Sequence, residues 1–166
     1  MELTITALAR VHPGAVAALL DAAFGRDREL RTAYRIRQGV AVIDNLSFAA
    51  VSGAALVGTL QCWPVCLDDT PLTLVGPVAV CPTMQRRGVG RQLMTRLLQV
   101  APDDPMVMIG DPEYYGRFFG FSADATGSWD VPGPVDRHRL LARNAGRLPI
   151  RGLLRPRSFA LARPTA

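Results

Sequence analysis

The sequence predicts a single α/β domain over residues 1–166, with a mixed, mostly antiparallel sheet of six or seven strands flanked by about four helices. From residue 46 onwards, apolar residues alternate with a period of two through three consecutive segments, which is typical of an antiparallel meander. A helix with one apolar face follows them and precedes another strand, and two strands joined by a helix are most simply parallel. A length of 166 residues suits one domain with a sizeable core.

The N-terminal part is predicted to hold one strand and two helices. The strand covers Glu2 to Thr6, where apolar and polar residues alternate. Pro13 begins a helix with apolar residues at helical spacing, and Gly25 ends it. Asp27 is placed to cap a second helix. The predicted inner face of that helix contains Leu30, Ala33 and Tyr34.

The meander is predicted over residues 46–51, 54–65 and 72–80, with turn residues between the strands. The helix that follows has an inner face of Val89, Leu93, Leu97, Val100 and Ala101, and an opposite face of Arg91, Gln92, Thr95, Arg96 and Gln99. It ends at Pro102.

Beyond Pro102, the pattern predicts a buried strand, Met106 to Ile109, and a short helix, Glu113 to Phe119, that ends at Gly120. Trp129 to Val131 and Ser158 to Ala162 are weak strand candidates. The proline- and arginine-rich stretch between these two is not assigned to any element.

Composition argues against several classes of protein. The chain is 49% hydrophobic and 20% charged, which is typical of a soluble folded protein. It has no apolar run near the ~20 residues of a membrane span and no signal-peptide pattern at its start. Cys62, Cys66 and Cys81 are too few for a disulfide framework, and the first two lack a second ligand pair for a metal. We therefore expect a cytoplasmic protein, monomeric or homodimeric, without a membrane partner or a metal.

The net charge of +5 is concentrated at one end of the chain. All 19 basic residues are arginine, and residues 137–166 contain eight of them and no acid. Such a segment can contact phosphates of a cofactor or of a nucleic acid. A solvated surface in an arginine-biased protein is the preferred interpretation. A nucleic-acid partner is therefore possible but not favoured, and the segment has a single aromatic residue for base stacking.

A glycine turn, Gln85-Arg-Arg-Gly-Val-Gly90, links the last strand of the meander to the helix after it. The turn lacks the third glycine of a dinucleotide fingerprint and the Lys-Ser/Thr ending of a P-loop. Glycines allow close approach of a ligand, and the N–H groups and dipole of a helix N-terminus favour an anion. The pattern indicates either a pyrophosphate site or a tight structural turn.

Gly76-Pro-Val-Ala-Val-Cys-Pro82 and the glycine turn together resemble the acetyl-CoA motif of the GNAT superfamily of N-acetyltransferases, in particular its YhbS-like branch. Gly110-Asp-Pro-Glu-Tyr-Tyr-Gly-Arg-Phe-Phe-Gly-Phe121 resembles the next strand and helix of that family. The resemblance covers residues 46–122 well. It implies a splayed central parallel pair of strands and an acetyl-CoA-dependent N-acetyltransferase acting on a primary amine by direct attack.

The resemblance also implies residue roles for acetyl-CoA. Backbone groups of Val78, Ala79 and Val80 would pair with the pantetheine, and the Val80 N–H would polarise the thioester carbonyl. Pro77 cannot donate to a ladder and would help to open the sheet. The pyrophosphate would lie on the turn and the helix start, made of Gln85, Arg86, Arg87, Gly88, Val89, Gly90 and Arg91.

Family members commonly protonate the departing thiolate with a tyrosine on the later helix, which points to Tyr115 or Tyr114 here. Phe118-Phe119 makes the segment one residue longer than the common pattern. Both tyrosines therefore stay candidates, with Tyr115 preferred. Glu113 and Asp111 are the nearest candidate bases, although Asp111 before Pro112 also fits a helix cap.

Two rivals to this interpretation are kept. One is a catalytically silent acyl-CoA-binding or regulatory module that retains the glycine turn. The other is an acetyltransferase acting on the amine of a charged tRNA, with the arginine-rich segment as the nucleic-acid contact.

Overall fold

The computed structural model describes residues 2–157. Within them lie four α-helices: α1 (Pro13–Phe24), α2 (Thr32–Ile36), α3 (Val89–Val100) and α4 (Pro112–Phe119). The strands are β1 (Leu3–Ala7), β2 (Phe48–Ser52), β3 (Ala55–Leu67), β4 (Thr70–Val80), β5 (Met106–Ile109), β6 (Ser128–Asp130), β7 (Leu140–Arg143) and β8 (Arg151–Pro156).

The sheet order is β1-β2-β3-β4-β5-β7, with β8 paired to both β3 and β6. The prediction of a mixed, mostly antiparallel sheet is confirmed. The described residues contain eight strands rather than six or seven, because β7 and β8 lie in the stretch that the sequence left unassigned. The chain divides into two compact units, and β3 and β4 run through both of them.

The first unit comprises Met1–Glu29, Val42–Cys62 and Val75–Pro102. Here β1 pairs with β2 and β2 with β3, all antiparallel. Helix α1 begins at Pro13 after His12, whose Nδ1 accepts a hydrogen bond from the Gly14 N–H. Its buried residues Val16, Leu19 and Leu20 pack in one cluster. The other members of the cluster are Leu8 and two strand alanines, Ala49 and Ala79.

Among the described residues, the second unit comprises Leu30–Ala41, Trp63–Leu74 and residues 103–157. Strand β4 runs parallel to β5, with Thr73 opposite Met106 and Leu74 opposite Val107. Strand β5 pairs antiparallel with β7. The core of the unit surrounds Trp129, which is fully buried and donates its indole N–H to the Pro149 carbonyl.

The region after α1 differs from the prediction. A short 3-10 turn, Arg28–Leu30, precedes α2, and Arg31 rather than Asp27 occupies the position before α2. Leu30 is 76% exposed, so its assignment to an inner face is wrong. The buried residues of α2 are Thr32 and Ile36, which apolar spacing from Leu30 did not select.

The remaining predicted elements are placed as follows. Helix α3 buries Val89, Leu93 and Leu97 as predicted, whereas Val100 is half exposed because it lies at the helix end. The strand at Met106–Ile109 is confirmed at both ends. The candidate strand at residues 158–162 lies outside the described residues.

Candidate active site

The second half of β4 belongs to the first unit. Ala79 is buried in the α1 cluster, whereas Val78 and Val80 are partly exposed. This alternation is that of a strand with one covered face. Gly76 has φ of +129° and is joined to Pro77 by a cis peptide. The parallel register with β5 ends at Leu74, two residues before Gly76.

The glycine turn follows directly and is exposed from Gln85 to Gly88. Two of its residues have left-handed backbones, Arg86 with φ of +65° and Gly88 with φ of +82°. For arginine this conformation costs on the order of 1 kcal/mol, and such residues concentrate at ligand sites. At Gly88 the cost is absent because glycine has no Cβ.

Helix α3 begins at Val89 with Gly88 as its N-cap, and no side chain of the described residues caps this end. The Gly88 carbonyl accepts from the Gln92 N–H at 3.0 Å. A Cβ built on Gly88 would meet nothing within 4 Å. The N-terminus of α3 is therefore open to an anion, which could cap it in place of a side chain.

Gly58 on β3 sets how closely α3 approaches the sheet. A Cβ at this position would lie 2.6 Å from Val89 Cγ1 and 3.2 Å from both Leu93 Cδ1 and the Ala79 carbonyl oxygen. Only glycine allows this contact between β3, β4 and the first turn of α3. Gly58 was not identified from the sequence, since a lone glycine in a strand carries no sign of its contacts.

Helix α4 belongs to the second unit and starts at Pro112. Asp111 Oδ1 accepts a hydrogen bond from the Glu113 N–H at 3.0 Å, so Asp111 is the N-cap. Glu113 is exposed in the first turn. The helix ends at Gly120, whose φ of +73° is the left-handed conformation common after helices.

Both candidate tyrosines lie in an aromatic cluster on α4. The two rings meet edge to face with centroids 4.9 Å apart. Tyr114 also contacts Phe118 and Phe119, and Tyr115 contacts Phe119 and Phe121. Edge-to-face contacts of this kind add to the energy of burial and restrict ring rotation.

Burial raises the pKa of Tyr115 to about 12, with smaller contributions in the same direction from Tyr114 and Asp111 and an opposing one from Arg139. The Tyr115 hydroxyl makes no hydrogen bond with another described residue. Tyr115 therefore stays protonated at neutral pH and keeps its proton available for donation.

Cys81 directly follows β4, and its Sγ lies 3.3 Å from Thr83 Oγ1. This hydrogen bond, followed by one from the Thr83 backbone, lowers the pKa of Cys81, and desolvation opposes it. Cys81 is partly exposed.

Helix α2 contacts the loop after β6, and both lie in the second unit. Thr32 Oγ1 donates to the Pro134 carbonyl, and Arg35 Nη1 donates to the Pro132 carbonyl at 3.2 Å. Gly133 fits against Thr32, since a Cβ there would lie 2.6 Å from Thr32 Oγ1. These contacts hold α2 and the loop together, and no local sequence pattern predicted them.

A buried arginine lies next to this contact. Arg37 is 7% exposed, and its guanidinium carbon stands 3.8 Å from the Tyr34 ring centroid and 4.0 Å from the Trp63 ring centroid. A guanidinium between two aromatic faces is held by cation–π attraction. Arg37 thus fixes α2 against β3.

Several arginines of the C-terminal segment have structural partners. Arg155 forms an ion pair with Asp69 at 2.9 Å, Arg143 donates to the Phe119 carbonyl, and Arg137 donates to the Trp129 carbonyl. Three of the eight arginines in residues 137–166, where a solvated surface was preferred over a nucleic-acid contact, therefore have partners within the second unit.

Within residues 2–157, no group of three or more His, Cys, Asp or Glu side chains is arranged to hold a metal ion. The helices there are also too short or too polar to cross a bilayer. The predicted acetyl-CoA residues form one continuous segment of the first unit, and Glu113, Tyr114 and Tyr115 form one turn of α4 in the second.

The described residues thus combine a mixed sheet, a helix between two parallel strands, and an exposed glycine turn at the start of that helix. The chain belongs to the GNAT acetyltransferase family, since the model of the "Acetyltransferase (GNAT) family" matches residues 15–121, more than half of the sequence. Comparison with the curated proteins gave no match.

Solved structures agree on the fold. The GNAT family N-acetyltransferase YhbS from Escherichia coli, in complex with CoA, is 21% identical with a TM-score of 0.69, over 95% of this chain and 91% of that one. A GNAT family acetyltransferase from Brucella melitensis, in complex with acetyl-CoA, is 23% identical with a TM-score of 0.59, over 91% and 93%. An acyl-CoA N-acyltransferase from Pseudomonas aeruginosa is 22% identical with a TM-score of 0.55, over 86% and 98%.

Proposed function

We propose that this protein binds acetyl-CoA and transfers the acetyl group to a primary amine by direct attack. The observation that carries the proposal is the uncapped N-terminus of α3, which follows two left-handed residues and has open space beside Gly88. Such an N-terminus fits a pyrophosphate. The family match to residues 15–121 supports the same ligand.

Acetyl-CoA would supply the activated acyl group. The turn from Gln85 to Gly88, with Val89, Gly90 and Arg91 of α3, would hold the pyrophosphate through backbone N–H groups. Val78, Ala79 and Val80 would present backbone groups to the pantetheine, with the Val80 N–H polarising the thioester carbonyl. Val78 and Val80 are partly exposed, which is consistent with this role.

The chemistry needs an uncharged amine and a proton for the departing sulfur. The amine nitrogen bonds to the acyl carbon, the carbon–sulfur bond breaks, and the nitrogen releases a proton. We assign the proton donor to Tyr115, because its ring is held in place against Gly110 and its phenol is protonated at neutral pH. Tyr114 is the alternative donor. Glu113, exposed in the first turn of α4, is the candidate to take the amine proton, directly or through water.

The first experiment is isothermal titration of acetyl-CoA into the purified chain. One-to-one binding is expected, and Gly88→Val should abolish it because valine cannot adopt a φ of +82° without strain. Gly127→Val is the control, since a Cβ there meets nothing within 4 Å. Absence of heat for the unmodified chain would refute acetyl-CoA binding.

The second experiment is thiol release from acetyl-CoA across a panel of primary amines. Tyr115→Phe should lower kcat by about 100-fold, the usual range for a general acid, and leave acetyl-CoA affinity unchanged; Tyr114→Phe is the matched control. The reverse ranking would assign the acid to Tyr114. Binding without turnover for every amine would favour the silent acyl-CoA-binding module, and turnover confined to aminoacyl-tRNA would favour the tRNA-directed enzyme.

A further inference from the structure

A groove of about 450 Å³ runs along the exposed face of α3 in the first unit. Its lining includes Ile5 of β1, Gly88, Arg91, Thr95, Arg96 and Gln99. At 1.5 Å per residue, Gly88 and Gln99 are about 16 Å apart along the helix axis. The groove therefore extends well beyond the glycine turn.

The arrangement of these residues follows from helix geometry. At about 100° per residue, Gly88, Thr95 and Gln99 fall near the middle of one face, and Arg91 and Arg96 fall on its two flanks, about 140° apart. The Arg91 and Arg96 side chains therefore lie on either side of a row of small or polar residues. Ile5, partly exposed, adds an apolar wall from β1.

The charge of the groove is entirely positive. No acidic residue lines it, and α3 itself contains none. Within residues 2–157, the Arg96 guanidinium has no hydrogen bond or ion pair. Arginine presents a planar fork of N–H donors that matches a phosphate. The groove is therefore built for a phosphorylated group with an apolar neighbour.

Gly88 belongs both to the groove and to the turn assigned to the pyrophosphate. Coenzyme A carries one more anionic group beyond its pyrophosphate, the phosphomonoester on the 3′ oxygen of adenosine, whose charge near neutral pH approaches −2 by analogy with other phosphomonoesters. The adenine ring next to it offers a flat face for Ile5.

We propose that the α3 groove binds the 3′-phosphate of the coenzyme through Arg91 and Arg96, so that the protein selects CoA over dephospho-CoA. The inference rests on the proposed function, because it takes acetyl-CoA as the ligand of the turn. It adds a site of discrimination that the glycine turn alone does not provide, since both coenzymes carry the same pyrophosphate.

The test is isothermal titration with CoA and with dephospho-CoA, which differ only in this phosphate. The unmodified chain should bind CoA at least tenfold more tightly, which corresponds to about 1.4 kcal/mol. The double variant R91Q/R96Q should reduce CoA affinity to the dephospho-CoA level. R96Q alone leaves the pyrophosphate residues intact, so it should lower CoA affinity and change dephospho-CoA affinity less than twofold. R96K, which keeps the charge but loses the fork, should retain part of the preference.

R10Q is the matched control, because it removes one exposed charge of the same unit outside the groove. Equal affinity for the two coenzymes in the unmodified chain would overturn the inference and leave the proposed function standing. A preference for CoA that survives R91Q/R96Q, or that R10Q lowers equally, would overturn the assignment to the groove. Absence of binding by both coenzymes would overturn the proposed function and the inference together.

Discussion

The ring of Tyr115 lies directly against Gly110, so that a Cβ on Gly110 would stand 2.8 Å from Tyr115 Cδ2 and 2.9 Å from Cε2. Gly110 follows the last residue of β5, and its N–H donates to the Arg139 carbonyl at 2.9 Å. The backbone of Gly110 is thereby fixed from one side. The absent side chain leaves the space in which the tyrosine ring is held.

Gly110→Ala is expected to displace the Tyr115 ring, because the ring rather than the fixed backbone must move. A displaced general acid should lower kcat about tenfold or more, since small errors in position are costly in catalysis. The affinity for acetyl-CoA should change little. Steady-state thiol release and titration measure the two effects, with Gly127→Ala as control because its Cβ has open space. An unchanged kcat would remove Tyr115 from the mechanism or show that its ring position is unimportant.

Gly58→Ala is expected to push the start of α3 away from β3, since the new methyl group would lie 2.6 Å from Val89 Cγ1. Overpacking of this kind costs about 1–3 kcal/mol of the free energy of unfolding. The displaced N-terminus should also weaken acetyl-CoA binding. Thermal unfolding and titration test both effects against Gly146→Ala, which has no neighbour within 4 Å. Stability and affinity equal to those of the control would show that the contact does not position α3.

The Tyr115 phenol is expected to lose its proton at a higher pH than an ordinary tyrosine. Burial, with Tyr114 and Asp111, raises its pKa to about 12, above the ordinary tyrosine value of about 10 that applies to the unfolded chain. The folded state holds this proton more tightly, so the stabilisation by neutral Tyr115 is complete below pH 10 and is lost as the pH rises toward 12.

Phenolate absorbance measured against pH should therefore show a late step near pH 12 that Tyr115→Phe removes and Tyr34→Phe retains. An alkaline loss of kcat below pH 10 should persist in the Tyr115→Phe variant, because this phenol is not its source. Removal of a step near pH 10 by Tyr115→Phe would contradict the predicted shift.

Cys81 is expected to be the cysteine that reacts first with iodoacetamide. The hydrogen bond from Thr83 lowers its pKa, and it is partly exposed, whereas Cys62 and Cys66 are buried. Thr83→Val should slow the reaction by raising that pKa. Acetyl-CoA should also slow it, because Cys81 follows the residue proposed to bind the thioester. Peptide mass spectrometry after timed alkylation measures these rates; faster labelling of Cys62 or Cys66 would contradict the prediction.

Local patterns predicted the elements whose ends are marked by specific residues. The glycine turn, the helix from Pro13 and the strand from Met106 to Ile109 all carry start or stop signals and a clear hydrophobic period. The Asp111 cap was also predicted, since Asp before Pro has a direct local explanation. The family resemblance then supplied roles that no pattern contains.

The remaining features depend on contacts between distant residues. Strand β7 is fixed by pairing Leu140 with Ile109, and β8 by pairing with β3 and β6, so neither has a strong period of its own. Gly58 and Gly110 matter because side chains from distant parts of the chain pack against them, Val89 on Gly58 and Tyr115 on Gly110. The exposure of Leu30 and the burial of Arg37 likewise follow from tertiary packing, which overrides local spacing.

The hydrogen bond from Thr32 to the Pro134 carbonyl joins residues 102 positions apart in the chain. A contact of this range forms only after the intervening polypeptide has been made, whereas the hydrogen bonds of α1 join neighbouring residues. During synthesis on the ribosome, the glycine turn leaves the exit tunnel before the loop around Pro134 does. Closure of α2 on that loop is therefore among the last events in the folding of the nascent chain.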